Sequence, residues 1–162
     1  MLIRYATVAD IPVIHQLAHL IWPDTYKSIL PTGQIDFMLT EMYSLQSLKK
    51  QINEGVHFII AELEEKPVGF ASFSLSEEKS GTFIIHKLYL LTELQGKGIG
   101  SELLNFIKEE VILKGGKALT LNVNRNNPAV RFYQKYGFMI SDEADLIYHR
   151  FVLNDYIMSM QL

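Results

Sequence analysis

The chain has 162 residues, 48% of them apolar and 20% charged, which suits one domain spanning residues 1–162 with a substantial core and excludes wholesale disorder. Its net charge of -3 with histidines neutral argues against a nucleic-acid binder, which would carry a basic surplus. With no cysteine, disulfides, thiolate zinc sites and cysteine nucleophiles are ruled out; with no membrane-length apolar run and no signal-peptide layout at Met1-Leu2-Ile3-Arg4-Tyr5, a soluble cytoplasmic protein is expected.

Leu2 to Ala6 reads as a short strand, and Thr7 with Asp10 as a helix cap. From about Val8 to Trp22, Ile11, Ile14, Leu17, Ala18 and Ile21 fall on one helical stripe, and Pro23 is expected to end it. Pro31 and Gly33 mark a second break, followed by two helical stretches up to about Asn53. The period then changes. His57 to Leu63 and Pro67 to Leu75 read as a hairpin around Glu64-Glu65-Lys66, and Thr82 to Leu91 as a third strand, all antiparallel because no helix intervenes. After Gly100, Leu103, Leu104, Ile107, Val111 and Ile112 form an apolar helical face that Gly115 and Gly116 terminate. Lys117 to Val123 is a strand, so one strand-helix-strand unit implies one parallel pair. Asn127-Pro128 caps a short helix ending at Gly137. Phe138 to Asp142 and Asp155 to Leu162 are two last strands, with the stretch between them unassigned.

The segment richest in chemistry is Gln95-Gly96-Lys97-Gly98-Ile99-Gly100, between a strand and an amphipathic helix. Glycines let a ligand approach the main chain, and a helix start offers unpaired N–H groups with a partial positive charge. Together these suit a phosphate or pyrophosphate. A P-loop would place Ser or Thr after Lys97, where Gly98 stands, and the dinucleotide fingerprint spaces its glycines GxGxxG rather than GxGxG. A glycine-rich turn that only reverses the chain remains the alternative.

Gln95, Gly98 and Gly100, after the strand carrying Leu88-Tyr89-Leu90, follow the order of a known signature. So does the later run Asn127-Pro128-Ala129-Val130-Arg131-Phe132-Tyr133-Gln134-Lys135-Tyr136-Gly137-Phe138. With these two motifs at their separation, the chain resembles the GNAT superfamily of N-acetyltransferases, along most of its length to Asp155-Tyr156-Ile157-Met158. Ile21-Trp22 to Tyr26 and Ile29-Leu30-Pro31 look like the subgroup containing bacterial polyamine acetyltransferases. The resemblance implies an α/β (α+β) single-domain fold: a mixed, mostly antiparallel sheet of six or seven strands with helices on both faces. It implies acetyl-coenzyme A as cofactor, bound where the strands Thr82 to Leu91 and Lys117 to Val123 splay apart. Main chain of Leu88, Tyr89 and Leu90 would pair with the pantetheine arm and acetyl carbonyl. Amides of Gln95, Gly96, Lys97, Gly98, Ile99 and Gly100 would hold the pyrophosphate. Asn127 would reach the pantetheine region, and Tyr133 would sit near the sulfur. Homodimers are common in the family, so one is expected here.

The reaction implied is attack of a neutral amine on the thioester. An alkyl amine of pKa about 10.4 is neutral in only about one molecule in 2,500 at pH 7, a selection costing about 4.6 kcal/mol. Tyr133 is the candidate acid for the leaving sulfur, with an aromatic packing role as its alternative. Candidate bases are His86, two residues before Leu88 and therefore on its strand face, and Glu93, just past the strand. A packed histidine, a solvated glutamate and a water chain with no dedicated side chain stay open. Trp22, Asp24 and Tyr26 could frame a cationic acceptor, or form a helix-end packing cluster. His15 and His19 share a helix face but lack a third metal ligand. The leading acceptor is a polyamine or similar small amine. The alternatives are a protein N-terminus, lysine or amino sugar, or a non-catalytic acyl-coenzyme A sensor.

Overall fold

The computed structural model describes residues 1–162. In chain order the elements are β1 (Leu2–Tyr5), α1 (Ile11–Tyr26), α2 (Thr32–Tyr43), α3 (Leu45–Asn53), β2 (His57–Leu63), β3 (Lys66–Leu75), β4 (Thr82–Leu90), α4 (Ile99–Leu113), β5 (Ala118–Asn124), α5 (Ala129–Tyr136), β6 (Met139–Tyr148) and β7 (Phe151–Gln161). The strands form one seven-stranded sheet in the order β1-β2-β3-β4-β5-β7-β6. Only β4 and β5 run parallel, as the single strand-helix-strand unit requires.

Each sheet face buries its own core. On one face α4 and α5 supply Leu103, Leu104, Ile107, Val111 and Val130 against Phe83, Ile85, Leu119 and Leu121. Ile112, expected on that apolar face, is instead 49% exposed, because α4 turns it away from the sheet. On the other face α1 delivers the whole expected stripe, Ile11, Ile14, Leu17, Ala18 and Ile21, with α2 and α3 adding Ile35, Met38, Tyr43 and Leu48. The cap before α1 forms as expected: the Asp10 carboxylate accepts from the Thr7 N–H at 2.8 Å and is gripped by Arg4 at 2.9 Å.

One further expectation fails for an identifiable reason. Pro23 does not end α1, which continues to Tyr26. An interior proline costs about 3 kcal/mol. The last turn is held by the nearly complete burial of Trp22 and Tyr26 and by a 2.9 Å hydrogen bond between the Tyr26 and Tyr89 hydroxyls. Burial of large side chains is worth about 1.5–3 kcal/mol each, enough to offset the proline. The unassigned stretch from 143 to 154 is the long β6-β7 hairpin, which turns at His149 in a left-handed conformation of φ 54°. Its β6 arm is a sheet edge with little buried surface, so no apolar alternation marks it.

Candidate active site

The parallel ladder between β4 and β5 runs only from Thr82↔Ala118 to Ile85↔Leu121. Beyond it β4 stays paired with β3 alone and β5 with β7 alone, so a V-shaped gap opens in the sheet. A β-bulge starts the divergence: Lys87 opposes Ser72 and Ile85 opposes Phe73, leaving His86 without a partner residue. The bulge also resets which main-chain groups face the gap. The Leu91 N–H donates to Val68 at 2.9 Å, so by strand alternation Tyr89 bonds toward β3, whereas the N–H and C=O groups of Leu88 and Leu90 point into the opening.

At the mouth of the gap lies the glycine loop. Gly98 caps α4 at φ 86°, a left-handed conformation that aims the loop amides outward. No backbone carbonyl accepts from the amides of Gly96 to Ser101. This cluster of free donors at a fifteen-residue helix's positive end fits a diphosphate, and the open groups of Leu88 and Leu90 fit the amide-bearing arm that would follow it. Gly100 also serves packing: a Cβ there would lie 3.1 Å from the Phe132 ring of α5.

Two cavities flank the gap. The larger, about 870 Å³, is lined by Gln95, Gly96, Gly98, Gly100 and the start of α5. The smaller, about 390 Å³, lies beneath Trp22, Tyr26, Met38 and Met42, over Ile84, Asn122, Asn124 and Asp155. They share Leu88, Tyr89, Asn127, Ala129 and Tyr133, so the two spaces meet around the Tyr133 side chain. Asn127 shapes this junction by accepting from the Ala129 N–H at 2.9 Å, which starts α5. The Tyr133 hydroxyl bonds to no other protein group, and burial pushes its pKa well above the usual phenol range, so it stays protonated.

The remaining residues singled out from the sequence scatter. Lys97 is exposed and lines neither cavity, and the Ile99 side chain is buried in the α4 core. Glu93 is exposed and outside both cavities. His86 does not share a face with Leu88: the bulge intervenes, Leu88 packs against the α4 core, and the His86 Nε2 lies 2.7 Å from the Ser74 hydroxyl. Burial, with the neighbouring Lys87 charge, lowers His86 to about 4. Asp24 does not join Trp22 and Tyr26 around one cation. It lines the larger cavity and pairs with Lys27 at 2.8 Å, whereas the two aromatics line the smaller. His15 and His19 stack at 4.1 Å, and each Nδ1 lies within hydrogen-bond distance of a backbone carbonyl.

Sequence reasoning missed two charged groups. Lys87 is only 6% exposed, gives its Nζ to Gln51 Oε1 at 2.7 Å, lies over the Tyr43 and Phe58 rings, and is lowered by burial to about 8. Asp155 is the one carboxylate lining the smaller cavity. The β5-β7 register sets Asp155 opposite Asn124, on the face that also carries Asn122, and that pairing could not be read from the local sequence.

The sequence model described as the acetyltransferase (GNAT) family matches residues 14–138. The spermidine N(1)-acetyltransferase of Thermoplasma acidophilum is 28% identical over 146 residues, covering 86% of this chain and 89% of its own. The spermine/spermidine N(1)-acetyltransferase of Bacillus subtilis is 32% identical over 85 residues, 48% of this chain and 56% of its own. The crystal structure of PaiA N-acetyltransferase from Thermoplasma acidophilum in complex with coenzyme A matches at TM-score 0.85 and 25% identity, over 99% of this chain and 98% of that one. A splayed β4-β5 pair, a loop of free amides and a family match reaching from α1 to the end of α5 agree, and the chain belongs to the acetyltransferase (GNAT) family, enzymes that use acetyl-coenzyme A.

Proposed function

We propose that the acceptor is a primary amine of a polyamine or a similarly small polycation. The observation that carries this reading is the cavity of about 390 Å³, aromatic above and carboxylate-bearing below, which opens onto the Tyr133 side chain. Its size suits a small amine, and two relatives named for spermidine or spermine support the same class.

Bound acetyl-coenzyme A supplies the acetyl thioester and the departing sulfur. The amides from Gly96 to Ser101 would hold its diphosphate, Leu88 and Leu90 would align its arm, and the Leu90 N–H would stabilise charge growing on the carbonyl oxygen. The neutral acceptor nitrogen would form the new N–C bond as the C–S bond breaks, Tyr133 would give its proton to sulfur, and the proton shed by the acylated nitrogen would restore the Tyr133 phenol. The acceptor must first lose its own proton. At pH 7 an amine of pKa about 10.4 spends about 4.6 kcal/mol on losing its proton whatever carries the proton away. His86, held at about 4 and turned to the Ser74 hydroxyl, is too weak a base to retain that proton, and Glu93 lies outside both cavities, so the reading needs neither as a dedicated base. A homodimer belongs to the same reading. The β6 edge leaves Met139 75% and Ile147 84% exposed, and light scattering that returns a monomer's mass would remove the dimer.

The test is acetyl-coenzyme A thiol release against spermidine, spermine, butane-1,4-diamine, amino acids, an aminoglycoside and peptides. Polyamines should give the highest kcat/KM. A peptide or aminoglycoside preference would replace this acceptor, and cofactor binding without release for any amine would leave a sensor.

A further inference from the structure

The acceptor cavity is electrically lopsided. On its β4 side stand Lys87, a buried cation, and His86. On its β7 side stands Asp155, half-buried and facing the same side of the sheet as Asn122 and Asn124. Asp155 forms no salt bridge. Arg125, whose charge reaches it, pairs instead with Glu143 and Asp145. Burial raises the Asp155 carboxyl above its ordinary range, against the downward pull of the Asn122 hydrogen bond and the Arg125 charge. A partly desolvated carboxylate without a salt-bridge partner is costly to keep, and here it shares the wall of a cavity with Tyr26.

We propose that Asp155 anchors a second, protonated nitrogen of the acceptor, so that the cavity selects amines carrying a positive charge remote from the reacting one. This rests on the small-amine reading above. The reacting nitrogen cannot be the one held there: a carboxylate partner raises an ammonium's pKa and would add to the cost of reaching the neutral form. The Lys87 cation acts oppositely, disfavouring protonation of a nitrogen on the β4 side. The cavity thus orients a diamine with its charged end toward β7 and its reacting end toward Leu88 and Tyr133.

Two probes of equal chain length separate this from a purely apolar pocket: butane-1,4-diamine and butylamine. Calorimetry on the protein alone should show the diamine bound about tenfold or more tightly than butylamine, as a charge-assisted hydrogen bond warrants. Asp155→Asn should erase that preference, Asp155→Glu should restore part of it, and the thiol-release assay should show the loss chiefly in KM for the diamine. Coenzyme A affinity of both variants reports whether they fold, and the wild-type comparison stands without them. Equal affinity of the wild type for the two probes overturns the anchor. So does an equal fall in kcat for both in Asp155→Asn, which would make Asp155 a base. If neither amine binds or is acetylated, the small-amine reading itself fails.

Discussion

The two faces of the sheet are built on opposite principles. Under α4 and α5 the core is hydrophobic throughout, and its ligand groups are main-chain amides at a helix start and along β4. Under α1, α2 and α3 the core is threaded with polar atoms. Trp22 Nε1 and Tyr43 Oη are buried there without partners, and Lys87 ends among aromatic rings. On the proposed reading the first face binds a constant molecule, and a backbone can do that with any apolar packing behind it. On the same reading the second must discriminate among acceptors, which takes side chains of particular charge and shape, held at a cost in desolvation.

Tyr133 belongs to both faces, so its loss should be the largest single effect. The hydroxyl lies at the junction of the cavities and makes no structural hydrogen bond. Tyr133→Phe keeps the ring contacts with Phe132 and Phe138 and removes only the proton donor. Turnover at saturating substrates should fall about 100-fold, within the range for a general acid, with coenzyme A affinity unchanged. Steady-state kinetics beside calorimetry checks this, and unchanged turnover would take Tyr133 out of the mechanism.

Lys87 measures what the acceptor face costs. Its pKa of about 8 in the folded protein lies below the ordinary 10.5. Between these values the unfolded chain holds a proton that the folded chain lacks, so this group makes stability rise with pH through that window and penalises folding fully below it. Replacing a buried charge by an apolar side chain of similar size is often stabilising, although Gln51 Oε1 would lose its donor. Lys87→Met should therefore be about 2 kcal/mol more stable than wild type at pH 7, with the gain gone near pH 10. Urea unfolding at both values decides it, and a pH-independent difference would refute the account.

The same contrast explains what could be read from the amino acids alone. The α4 stripe, the glycine loop and the strand before it are contiguous, so periodicity and spacing exposed both the helix and the loop of free amides proposed as an anion site. The parallel β4-β5 pair followed from one intervening helix. Tyr26, Lys87 and Asp155 come from three distant segments, and nothing in their local sequence joins them; only the β5-β7 register brings Asp155 beside Asn122 and Asn124. His86 was misplaced because strict alternation cannot see a bulge that leaves one residue unopposed. Pro23 misled because tertiary burial of Trp22 and Tyr26 outweighed a local rule.

A backbone-built site should be breakable without touching any side chain, and Gly98 offers the smallest clean case. Nothing lies within 4 Å of a Cβ placed there, so Gly98→Ala meets no steric obstacle and its effect is conformational alone. Holding a non-glycine residue in the left-handed region costs about 1–2 kcal/mol. The exposed loop escapes that cost in the free protein by relaxing, and must take it on again when its amides converge on a diphosphate. Calorimetry should show coenzyme A bound about tenfold more weakly, with the melting temperature of the free protein nearly unchanged. Butane-1,4-diamine affinity should stay at the wild-type value, because the acceptor cavity draws no lining residue from this loop. Equal weakening of both ligands would mean that the two faces are not independent, and that the loop sets the shape of the acceptor cavity as well.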